Sequence, residues 1–60
     1  MKLIDLLSII PEENTVVVSD YDGEVEEIYD GKNSISPVWN NKEIARVDAG
    51  YYRICITILL

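Results

Sequence analysis

Residues 15–31, TVVVSDYDGEVEEIYDG, constrain the fold more than any other stretch of this chain. Residues 15–18 are all β-branched and therefore strand-forming. They run into Asp20-Tyr21-Asp22-Gly23, and Asp-Gly between two apolar runs is a strong hairpin signal. Val16 and Val18 fall on one face of the first strand and Val17 on the other. Residues 24–29 make the return strand. There Val25 and Ile28 lie three apart, so a β-bulge at Glu26-Glu27 would bring both to one face. Without a bulge, one of them faces solvent. The expectation is a β-hairpin that anchors the fold and carries most of the negative charge.

Sixty residues make a single domain, residues 1–60. A chain this short buries only about 60% of its unfolded surface, and such chains usually lean on disulfides, a metal or an oligomer. Cys55 is the only cysteine and there is no histidine. Disulfides are therefore excluded, as is a structural zinc site with its four nitrogen or sulfur ligands. No metal and no cofactor is expected. An apolar core, a homo-oligomer, or both must supply the stability, and both are expected. Four tyrosines and one tryptophan, with no phenylalanine, suit interfaces as well as a core, because these rings keep a polar tip near water.

The rest of the chain reads as follows. Residues 2–10 form a short helix with a wide apolar face, since only Lys2, Asp5 and Ser8 are polar. Pro11 ends it, and residues 12–14 connect to the hairpin. A second turn at Asp30-Gly31 extends through residues 32–34. Pro37 excludes a central strand; with Ser36 as cap it opens a short helical turn over residues 37–41. Residues 43–48 are a third strand, Ala49-Gly50 a turn, and residues 51–60 the last and longest strand. The fold class is α+β: a short N-terminal helix packed on one face of a four-stranded antiparallel sheet (αββββ).

In the last strand Tyr52, Ile54, Ile56, Ile58 and Leu60 should face the helix. Tyr51, Arg53, Cys55, Thr57 and Leu59 form the opposite face, which is too apolar for a solvated row. A long apolar strand edge also invites pairing with another chain. These five residues are the candidate interface of a homodimer, the commonest closed oligomer.

The sequence offers little to catalysis. VVVSDYDGEV resembles the strand-DxDG signature of haloacid-dehalogenase-type phosphatases, with Asp20 and Asp22 at the two aspartate positions. That family needs a doubly wound parallel sheet, which sixty residues cannot hold, so the motif reads as a hairpin turn. Asp20, Asp22 and Glu24 also alternate like the start of an EF-hand. However, that loop needs glycine at position six and glutamate at twelve, where this chain has Val25 and Gly31. Histidine is absent, serine and lysine are scattered, and Cys55 sits among apolar residues as a small hydrophobe would. An enzyme is not expected.

The net charge of −6, from eleven acids and five bases, disfavours direct nucleic-acid binding and anionic membrane surfaces. It fits a protein partner with a basic surface. Asp20, Asp22, Glu24, Glu26, Glu27 and Asp30 fall within eleven residues, with Tyr21 and Tyr29 interleaved. This acidic arm and Trp39, a residue type common in binding hot spots, are the candidate partner-binding residues, although for Trp39 the favoured reading is a lid over the core. No signal peptide is read in residues 1–10, which Asp5 interrupts, and the apolar end is too short to span a bilayer. A cytoplasmic protein is expected.

The stretch LIDLLSIIPEENTVVVSDYDGEVEEIYDGK resembles small acidic accessory proteins of bacteriophages and prophages of low-GC Gram-positive bacteria. The shared features are an L-x-x-L-L-x-x-I-P helix, a valine-rich strand, a D-x-D-G turn, an acidic return strand ending in Tyr and Gly, and a late β-hairpin. Among small acidic phage proteins a recurrent role is disabling host defence by binding a defence protein, as anti-CRISPR and anti-Hachiman proteins do. The resemblance thus implies a non-enzymatic inhibitor that occludes a surface of a host defence protein. The alternative is a structural or regulatory phage accessory module without inhibitory activity.

Overall fold

The computed structural model describes residues 1–59. In chain order it contains α1 (Leu3–Leu7), β1 (Thr15–Asp20), β2 (Glu26–Tyr29), 3₁₀ turns at Lys32–Ser34 and Pro37–Trp39, β3 (Glu43–Gly50) and β4 (Arg53–Leu59). The strands form one sheet in the order β2-β1-β4-β3.

The α+β class holds, but the sheet is mixed rather than antiparallel. β1–β2 and β3–β4 are antiparallel hairpins. The two hairpins join through β1 and β4, which run parallel, with Val16 opposite Ile54 and Val18 opposite Ile56. The reason is burial. All the buried strand residues lie in β1 and β4, and a central position takes both edges of each out of water. Joining through β2 and β3 would have left the valine run on an edge and placed the acidic strand inside. This order also removes the expected free edge of the C-terminal strand, because both sides of β4 are paired.

The core lies between one sheet face and α1. Leu3, Leu6 and Ile10 pack with Val16, Val18, Ile35, Ile56 and Ile58, and Leu7, Tyr29, Trp39, Ile44 and Ile54 close its rim. Ile54, Ile56 and Ile58 face the helix as expected, whereas Tyr52 lies in an exposed turn. The orientation expected for Leu60 lies outside the described residues.

The helix is shorter than the expected 2–10, and its ends are satisfied by both local and distant groups. The N–H groups of Leu3 and Ile4 donate to the carbonyls of Lys42 and Asn40 (3.0 and 3.1 Å). The backbone N–H of Lys2 donates to the Asp5 carboxylate. At the other end Ser8 Oγ donates to the Asp5 carbonyl and Lys32 Nζ to the Leu7 carbonyl (2.8 and 3.1 Å). These partners supply what an α-helix end leaves open. The chain then bends, so that Ile10 swings into the core while Ile9 is exposed.

One bulge and one turn differ from expectation. β2 pairs with β1 in continuous register from Val16–Tyr29 to Ser19–Glu26, so no bulge forms at Glu26-Glu27 and Ile28 faces away from the core, exposed. The bulge lies instead in β3, between Ile44 and Arg46. β3 continues through Ala49 and Gly50, and the chain reverses at Tyr51-Tyr52, closing the pair Gly50–Arg53. The 3₁₀ turn at Pro37–Trp39 is as expected, with Ser36 Oγ accepting from the Val38 N–H.

Candidate protein-interaction site

The acidic arm is the β1–β2 hairpin. Its loop is closed by Asp20, whose N–H donates to the Val25 carbonyl and whose Oδ1 accepts from the Val25 N–H, each at 3.3 Å. Asp20 is buried, unlike the other arm carboxylates; its role in the structure is to close the loop. Gly23 takes the left-handed position there at φ +74°, which glycine reaches without steric cost.

Asp22, Glu24, Glu26, Glu27 and Asp30 are all exposed. Glu26, opposite Ser19, lies on the sheet face away from α1, and Glu27, opposite Val18, lies on the helix side. Carboxylates therefore flank β2 on both faces. Among the described residues no lysine or arginine forms an ion pair with the arm: the ion pairs are Met1 ammonium–Glu43 and Arg46–Asp48, both on the β3 side.

The aromatic candidates divide. Tyr21 projects from the loop, exposed. Tyr29 and Trp39 are half-buried at the core rim, joined by a bond from Trp39 Nε1 to the Tyr29 hydroxyl (3.0 Å). They tie the arm to the loop that precedes β3, with Trp39 acting as a lid.

A shallow depression of about 190 Å³ lies where β1 and β4 end side by side, lined by Asp20, Tyr21, Asp22, Ile58 and Leu59. Ile58 and Leu59 were not among the candidates for this end of the arm. Their approach depends on the parallel pairing, which reading the hairpins separately does not reveal. Among the described residues, no three histidine, cysteine, aspartate or glutamate side chains are grouped as a metal site.

The sheet face away from α1 carries the remaining candidates. Cys55 and Thr57 are half-buried, Arg53 and Leu59 are exposed, and Tyr51 stands in the turn. Val17 lies outside the core cluster, yet it is only 5% exposed. Ile28 and Cys55 occupy the neighbouring positions in its register and shield it from the sides.

No protein-family model matches this chain, and neither a curated protein nor a solved structure matches it. Among the described residues no helix is long and apolar enough to cross a membrane.

Proposed function

We propose that this chain is a small non-enzymatic binding protein whose acidic hairpin occupies a basic surface on a partner protein. The observation that carries this reading is the exposed, unpaired charge of Asp22, Glu24, Glu26, Glu27 and Asp30 along one edge hairpin. Uncompensated charge of one sign steers and orients association with its opposite. Tyr21 at the tip supplies an aromatic contact beside the charge. The lack of histidine and the net charge of −6 support a protein target over catalysis or direct nucleic-acid binding. In its most specific form, resting on the resemblance to phage accessory proteins, the partner is a defence protein in the cytoplasm of a host cell, inhibited by occlusion.

The test is a pull-down from host lysate with the native chain and with the triple variant Glu24→Lys, Glu26→Lys, Glu27→Lys. A partner held by the native chain and lost from a variant of unchanged circular dichroism supports the arm. Equal capture by both sinks it. Phage plating on defended hosts expressing the chain separates inhibitor from accessory module. Rescue supports inhibition; no rescue together with stable association with phage components supports the module.

A further inference from the structure

The outer edge of β3 is paired only at its first residues. The Ile44 N–H donates to the Met1 carbonyl and the Leu3 N–H to the Lys42 carbonyl (2.9 and 3.0 Å), with Lys2 bridging antiparallel to Glu43. The start of the chain thus lies along the edge as a short added strand. It stops where the bulge interrupts β3. Beyond it, Arg46 to Gly50 pair regularly with β4. Among the described residues their outer side has no backbone partner, and all five are exposed. An edge strand offers a row of open N–H and C=O groups as a template for another strand.

The side chains of this segment are self-complementary. Arg46 and Asp48 lie two apart on one face and, among the described residues, pair only with each other, Nε to Oδ2 at 2.9 Å. Val47, between them, is 43% exposed on the helix side. We infer that β3 pairs antiparallel with β3 of a second copy about a two-fold axis at Val47, giving a continuous eight-stranded sheet. In this register Arg46 stands across from Asp48 of the second copy, and the reverse, while Val47 covers Val47. Each surface meets its own copy, as a two-fold interface requires. Opposite charges directly across a strand pair are favourable.

The overall charge does not oppose this geometry. β2, with the acidic arm, is at the far side of the sheet. Three strand spacings put it about 14 Å from β3, beyond the screening length of about 8 Å at physiological salt. The two arms end at opposite extremes of the joined sheet. The inference is independent of what the arm binds.

Sedimentation equilibrium from micromolar to millimolar protein tests it, with charge variants. The native chain should dimerise with concentration. Arg46→Asp and Asp48→Arg each put like charges across the axis and should weaken the dimer roughly tenfold or more. Mixing the two single variants restores opposite charge at every position and should yield a heterodimer. Ile28→Lys, on the sheet face away from α1, should leave dimerisation unchanged. A native chain that is monomeric throughout overturns the inference. So does a dimer insensitive to the charge variants, or one lost in Ile28→Lys, which would place the contact on the sheet face with Cys55 and Thr57. Failure of the mixed variants to associate while the native chain dimerises overturns the register.

Discussion

β2 and β3 are both edge strands, each joined to an apolar central strand by a hairpin, and they manage their edges differently. β2 is short, carries Glu26 and Glu27, and continues into Asp30. Self-pairing there would crowd carboxylates, which is how natural sheets protect an edge. β3 is twice as long. Its first residues, Glu43 and Ile44, are covered by residues 1–3, and Arg46 to Gly50 are nearly neutral, with Arg46 and Asp48 offsetting each other. One edge thus repels its own kind, and in the proposed function it is the edge that meets a basic surface. The other is left able to accept a strand. The sheet separates the two tasks by placing its apolar strands between them.

The largest expected effect lies in that shared middle. Ile56 is fully buried in β4 between the two edge strands. Ile56→Ala should cost about 2–5 kcal/mol through lost burial and the cavity left behind. Urea unfolding measures the loss. If the centre supports both edges, amide hydrogen exchange should quicken in β2 and β3 together. Acceleration at one edge alone would mean that the hairpins are stabilised separately.

A smaller effect should fall on the β2 side only. Gly31 follows β2, and a Cβ there would stand 2.8 Å from the carbonyl oxygen of Glu12. The obstacle is backbone, so the chain itself must move. Gly31→Ala should cost about 1–3 kcal/mol, the usual range for overpacking. Exchange should rise in β2 and the segment after α1 and stay unchanged in residues 46–50. A midpoint equal to the native value would show that residues 11–14 yield freely.

The sequence made the elements legible and left their order unread. Alternation in residues 54–58 placed the core side of β4 correctly, and the β-branched run at 15–18 separated Val16 and Val18 from Val17 without saying which face is the core. Three consecutive valines, all buried, also carry the mark of a central strand. That mark is weak in a run of three, and periodicity says which face a residue takes, not which strand lies beside it. The parallel β1–β4 pair is therefore a long-range outcome of burial. Asp20 and Tyr29 looked like members of the exposed arm because composition cannot tell a carboxylate that closes a loop from one that faces water. The turn at Tyr51-Tyr52 was missed for the opposite reason. Gly50 carries turn chemistry, but the register of β4 puts it in the closing pair and leaves the turn to two tyrosines.

That turn offers the smallest and most discriminating contrast between the hairpins. Both need a residue at positive φ: Gly23 at +74° on the β2 side, Tyr52 at +56° on the β3 side. For a bulky residue this backbone costs about 1–2 kcal/mol. Tyr51 and Tyr52 offset it with an edge-to-face ring contact, centroids 4.5 Å apart and planes at 76°, worth about 0.5–1.5 kcal/mol. The Tyr52 carbonyl also accepts the Thr15 N–H at 2.9 Å, which a substitution retains. Tyr52→Gly relieves the strain but loses the ring contact, and its added chain entropy costs about 0.5–1 kcal/mol, so the net change in unfolding free energy should be within about 1 kcal/mol of zero. In a Tyr51→Ala background the ring contact is already gone, and the same Tyr52→Gly change should then be more favourable by about the ring-pair energy. A double-mutant cycle in urea reads this difference. No coupling between the two positions would mean that the rings touch without offsetting the strain.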